Sequence, residues 1–197
     1  IGPDGLFLSA AQGTEMRALV EQGIPYATFD QLGVTRFDGE AIKRHLDAVL
    51  ALPFIDIAGI RSRKFKVAYD ACRGAGGAVI PHLLELLGCE VHAIELESDG
   101  RFPRPPEPIA ENLGALERLV RETGAQIGFA TDPDVDRLAL VSDAGNAIGE
   151  DYTLAFAVRA VLGSRRRGAG ATGGDRVVVA NLSTSLVVED AARAHNA

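Results

Sequence analysis

The chain has 197 residues, 47% hydrophobic and 24% charged, with a formal net charge of −7 and an isoelectric point near 5.1. That composition belongs to an ordinary globular protein long enough for one α/β domain and part of another. The acidic balance argues against a nucleic-acid backbone as main partner while leaving room for a phosphorylated small molecule, and no apolar run reaches the ~20 residues of a membrane span. Cys72 and Cys89 have no ligand-type spacing and read as small buried residues in a reducing cytoplasm. The opening Ile1-Gly2-Pro3, with neither initiator Met nor signal peptide, reads as an internal start.

Ser9-Ala10-Ala11-Gln12 has the spacing of a capping box and precedes Met16, Leu19 and Val20 at helical period; Gly23 and Pro25 stop that helix. Residues 24–34 read as irregular, with a short strand around Tyr26 to Phe29. Asp38 is the expected N-cap of a helix carrying Ile42, Leu46, Val49 and Leu50 on one stripe and ending before Pro53. From Phe65 a β/α alternation begins. Lys66 to Asp70 is a strand, Arg73-Gly74-Ala75-Gly76-Gly77 a tight glycine loop, and Val79 to Leu87 a helix closed by Gly88 with Pro81 in its first turn. Glu90 to Leu96 is the next strand, and residues 100–108, with four prolines, form a rigid loop. A helix over Asn112 to Glu122 buries Leu113, Leu116, Leu119 and Val120. Gln126 to Ala130 is a strand, Leu138 to Val141 its antiparallel partner, Asp143 to Asn146 a turn, and Asp151 the cap of a helix over Tyr152 to Leu162. Val177 to Ala180 reads as a strand and Thr184 to Ala194 as a helix.

This order implies an α/β fold of three layers, a mixed, mainly parallel sheet with helices on both faces, flanked by partial domains. The expected division is the C-terminal part of a first domain plus connector over 1–55, a complete α/β domain over 56–163, a Gly-rich linker over 164–175, and the start of a third α/β domain over 176–197. Arg165-Arg166-Arg167 in the linker reads as a solvated charge run.

The chemistry concentrates in Thr131-Asp132-Pro133-Asp134-Val135-Asp136-Arg137. In extended backbone, alternate residues project to one side, so Asp132, Asp134 and Asp136 can converge. Two carboxylates about 5 Å apart repel by roughly 3 kcal/mol at an effective dielectric near 20. Arg137 offers one positive charge against three negative ones, so a hard divalent cation with oxygen ligands is the expected remedy; no His or Cys stands near enough to suggest zinc. An EF-hand reading fails, because Arg137 stands where Gly is needed and Asp143 where Glu is needed. Asp132 and Asp134 fit loosely the D-x-D of a haloacid-dehalogenase-like phosphatase with Asp132 as nucleophile. A non-catalytic α/β interaction domain whose acidic loop meets a basic partner is a further alternative. The glycine loop after Asp70 matches neither G-x-G-x-x-G nor a P-loop and reads as a structural turn. His45, His82, His92 and His195 are scattered singly and form no nucleophile–base arrangement.

Asp132-Pro133-Asp134-Val135-Asp136-Arg137 resembles the D-x-D-x-D-R metal loop of the α-D-phosphohexomutases, the family of phosphoglucomutase, phosphomannomutase and phosphoglucosamine mutase. Val67 to Gly77 is similar to the opening of the family's second domain, Arg104 to Pro108 with Asn112-Leu113 to its P-x-P…NL segment, Val178 to Ser185 to the start of its third domain, and Ile1 to Gly5 to the end of its first. The resemblance implies that Asp132, Asp134 and Asp136 bind Mg²⁺ and that Arg137 is catalytic, contacting the phosphate of an active-site phosphoserine. It implies intramolecular phosphoryl transfer on a hexose phosphate; composition and cysteine usage add the expectation of a cytoplasmic protein with no nucleic-acid or membrane partner. The family's nucleophile lies in a T-A-S-H-N-P-like loop, and no serine of this chain is followed by His. The sugar-selecting and phosphate-gripping loops are absent too, so the chain alone is expected to be inactive without the remainder of its parent chain. The stretch Asn181 to Ser185 inclines the reading toward phosphoglucomutase/phosphomannomutase.

Overall fold

The computed structural model describes residues 1–165 and 177–197. They divide into two compact units, Ile1–Gly39 and Glu40–Ala197. The expected linker over 164–175, with its triple Arg, falls outside the described residues except for its first two, which continue the preceding helix.

In the first unit, α1 (Ala10–Glu21) begins at the capping box read from the sequence: Ser9 Oγ accepts from Gln12 N, and the Gln12 side chain accepts from Ser9 N. Cap chemistry is local, which is why four residues suffice to place it. None of its residues is buried, Met16, Leu19 and Val20 included. The strand expected at Tyr26 to Phe29 does not form. Phe29–Gln31 is one 3₁₀ turn instead, and both aromatic side chains are almost fully exposed, so a strand would have neither a ladder partner nor a face to cover.

The second unit starts with α2 (Ala41–Leu50), whose N-cap is Glu40 rather than Asp38, and whose stripe buries Leu46. A helix not foreseen from the sequence, α3 (Ile57–Arg63), is capped by Asp56, which accepts from Gly59 N at 2.8 Å. Two turns are too short for periodicity to show. Then come β1 (Lys66–Asp70), α4 (Ile80–Leu86), β2 (Glu90–Ile94), α5 (Gly114–Thr123), β3 (Ile127–Thr131), β4 (Leu138–Ser142), α6 (Glu150–Arg165) and α7 (Leu186–Arg193). Asp151 lies within α6 and does not cap it. Val177 to Ala180 is not a strand: the sheet order is β2-β1-β3-β4, and no described strand pairs with that run. An apolar run without a ladder leaves its backbone groups to water.

β1 is parallel to β2 and β3, and β4 is antiparallel to β3 in the register Ile127–Ser142 to Thr131–Leu138. On one face Ala68, Ala130, Ala139 and Val141 meet Leu113, Leu116 and Val120 from α5 and its N-terminal flank. The small strand residues let the helix sit close, and this is the core. On the opposite face Val67, Ile127 and Phe129 line a cavity of about 380 Å³ with Ile60 of α3 and Leu84 of α4. Helices therefore cover both faces of a mixed, mainly parallel sheet. α6 and α7 pack through Ala155, Val188 and Ala191. Among the described residues, no helix is long and apolar enough to cross a membrane. β1 and β3 run parallel, so their C-terminal ends share one edge of the sheet, where open α/β sheets place ligands. Asp70 and Thr131 end those strands, and Asp132 follows.

Candidate metal centre

The acidic loop joins β3 to β4. It is not the extended run anticipated from i, i+2, i+4 spacing. Val135 N donates to Asp132 O at 3.3 Å, a turn, and Val135 takes φ +66°. A β-branched residue rarely enters this left-handed region. The turn still achieves the convergence by another route: one oxygen from each of Asp132, Asp134 and Asp136 lies within 4.8 Å of the others.

The three acids are not equivalent. Asp132 is fully buried, while Asp134 and Asp136 are open to water. Asp132 Oδ1 accepts from Arg137 N at 3.1 Å and Oδ2 from Arg137 Nε at 3.0 Å, which fixes the carboxylate and offsets its burial. Arg137 also faces Asp136 Oδ1 at 3.4 Å and pairs through Nη1 with Glu107. Even so, one guanidinium stands among four carboxylates. At 4.8 Å a carboxylate pair repels by roughly 3 kcal/mol at an effective dielectric near 20, so the trio favours an added cation.

The residues fit such an ion. All donors are hard oxygens, as Mg²⁺ and Ca²⁺ require. Neighbouring ligands on Mg²⁺ stand about 3 Å apart. Reaching that spacing needs only that exposed Asp134 and Asp136 swing toward the fixed Asp132.

Sequence reasoning missed the surroundings that hold this loop. The glycine turn buttresses it: Ala75 N donates to Pro133 O at 2.8 Å. A Cβ on Gly74 would lie 2.5 Å from Pro133 Cα, and one on Gly76 would collide with the Tyr69 hydroxyl. Gly74 is therefore needed for close approach to the Pro133 backbone and Gly76 for close approach to the Tyr69 side chain. Beneath the loop, Tyr69 Oη and Thr131 Oγ1 share a buried hydrogen bond of 2.9 Å. Burial, with a smaller contribution from the Asp70 charge, pushes the Tyr69 hydroxyl up to about 12. Beside it Asp70 and Arg104 form a buried ion pair of 2.8 Å, and Arg104 Nη2 also donates to Thr131 O at 3.1 Å. Arg73, with φ +55°, is held by Asp99, Glu95 and Glu97; its hydrogen bonds to Asp99 bring that carboxyl down to about 2. The one sequence signal for Arg104 was an arginine set among prolines.

Residues 43–145 match the family model described as phosphoglucomutase/phosphomannomutase, alpha/beta/alpha domain II, and the acidic loop lies inside the match. The chain belongs to the phosphoglucomutase/phosphomannomutase family. Among similar proteins, a probable phosphoglucosamine mutase of Methanosarcina acetivorans is 33% identical over 95% of this chain and 40% of its own length. A phosphoglucomutase/phosphomannomutase of Thermococcus kodakarensis is 32% identical over 99% of this chain and 41% of its own. The crystal structure of a phosphoglucomutase/phosphomannomutase family protein from Burkholderia thailandensis superposes with a TM-score of 0.61 at 26% identity, over 80% of this chain and 32% of that one. The chain thus spans about two-fifths of the length of these curated relatives.

Proposed function

We propose that this chain is the metal-binding region of a phosphohexomutase, an enzyme that moves a phosphoryl group between two positions of one hexose phosphate by way of a phosphoserine. Asp132, Asp134 and Asp136 hold Mg²⁺, and Arg137 contacts the phosphate being transferred. The observation that supports this most directly is the convergence of the three carboxylates within 4.8 Å in a chain of this family. A bound Mg²⁺ supplies neutralisation of the charge on the transferring group. The protein supplies position: Asp132, locked by Arg137, is the fixed point against which Asp134 and Asp136 close. Arg137 offers phosphate oxygens a planar donor fork. It also borders a cavity of about 500 Å³ with Asp136, Asp151, Thr153, Ser183 and Thr184, a volume suited to a small polar ligand.

The test is Mg²⁺ titration by calorimetry. Asp134→Asn, which removes charge from an exposed ligand without disturbing the core, is expected to weaken binding about ten-fold or more. An unchanged isotherm would reject the site. In a haloacid-dehalogenase-like phosphatase Asp132 would instead be the nucleophile. Loss of phosphate-ester hydrolysis in Asp132→Asn would favour that alternative. With no Ser-His pair in its sequence, the chain alone is expected to show no sugar-phosphate turnover, and measured turnover by the purified protein would refute this. The remainder of the parent chain and a hexose phosphate are its proposed partners, nucleic acid and membrane are not, and the cytoplasm is the proposed compartment. Relatives carrying both phosphoglucosamine mutase and phosphoglucomutase/phosphomannomutase names match this chain at similar identity.

A further inference from the structure

Four prolines stiffen the loop between β2 and α5, yet its path over the strand ends is set by one side chain. Arg104 is only 8% exposed. Its Nε donates to Asp70 at the end of β1, Nη2 to Thr131 O at the end of β3, and Nη1 to the carbonyls of Pro105 and Pro106 at 3.2 Å each. Three residues on, Glu107 is gripped from its other side: its carbonyl accepts from Asn112 Nδ2 at 2.8 Å, and the next residue, Pro108, is fully buried. The main chain at Glu107 is thus held in place by its neighbours, and its half-exposed carboxylate takes Arg137 Nη1.

We propose that Glu107 is a positioning residue for Arg137. Without it the three aspartates would be the nearest acids, and Coulomb attraction would draw the guanidinium down among them, where the cation must sit. Glu107 pulls on a different nitrogen, Nη1, while Nε faces the aspartates. With Nε on Asp132 and Nη1 on Glu107, the fork is clamped at two nitrogens, and among the described residues no acceptor takes Nη2. That edge is left for an incoming phosphate oxygen. The pair is about half open to water, so its contribution to stability is small and its effect is on orientation. This role rests on the reading of Arg137 as the phosphate-contacting group.

The experiment uses the 197-residue chain labelled with ¹⁵N-arginine, with the Arg137 signals assigned through Arg137→Lys. A guanidinium clamped at Nε and Nη1 rotates slowly about Cζ–Nη1 and gives resolved Nη–H resonances. In Glu107→Ala those of Arg137 are expected to merge while those of buried Arg104 stay resolved, showing that the loop itself is intact. Glu107→Asp is expected to restore them in part. Inorganic phosphate, titrated into the Mg²⁺-loaded chain, is expected to bind about three- to ten-fold more weakly to Glu107→Ala, as loss of preorganisation predicts, with Mg²⁺ affinity little changed. Resolved Arg137 signals and unchanged phosphate affinity in Glu107→Ala would overturn the proposal. Failure of the unsubstituted chain to bind Mg²⁺ or phosphate would instead count against the proposed function, and the rotation signature, read without either, still decides the role of Glu107.

Discussion

Val135 carries the strain of the acidic loop. Its φ of +66° costs a β-branched side chain about 1–2 kcal/mol, accepted because only a turn brings Asp132 and Asp136 to one point. Val135→Gly is therefore expected to leave the fold as stable or up to about 1 kcal/mol more stable in urea unfolding, since relief of strain outweighs the added freedom of the unfolded chain. Cation affinity is expected to fall in the same variant, because the loop no longer holds its shape alone; a lower stability with unchanged affinity would contradict this account. The acids and Arg137 were legible in the sequence because a run of like charges poses an electrostatic problem that needs no structure to state. The conformation of Val135 was not, since valine's own preference is for extended backbone.

Helices and strands with a clear period were also legible: β1, α5, β3 and β4 fall within a residue or two of their expected places, because burial of one face is written at fixed spacing. Three runs defeated that logic. α3 is too short to show a period, Tyr26 to Phe29 forms no strand, and Val177 to Ala180 has strand composition with no described strand beside it. The glycine turn shows how elements meet. Read from the sequence as a mere turn, it runs into a 3₁₀ helix over Ala75–Ala78, and its glycines serve Pro133 and Tyr69 rather than their own backbone angles. Gly74→Ala would push a methyl into Pro133 and displace the acidic loop. Overpacking of this kind is expected to cost about 1–3 kcal/mol and to weaken Mg²⁺ binding as well. Full retention of both, by thermal melting and calorimetry, would show that the two loops are independent.

For the molecule as a whole, stability at high pH depends on the sheet interior. Tyr69 bridges β1 to β3, and burial holds its hydroxyl at about 12, above its ordinary 10.0. A group whose acidity is weakened by folding favours the folded chain below its unfolded value and loses that advantage as pH rises through the folded one. Denaturant midpoints are accordingly expected to fall between about pH 10 and 12, with that component missing in Tyr69→Phe; parallel profiles for the two proteins would disprove the linkage. What the sequence determined by itself was the sequential order of the sheet strands and the crowding of three acids that makes an electrostatic case for a hard cation, all consequences of neighbours along the chain. Tertiary structure alone decided that Arg104 would brace Asp70 from 34 residues away and that Glu107 would reach Arg137 across 30. Such contacts follow from strand order and loop path over the sheet edge, and spacing along a chain carries no record of either.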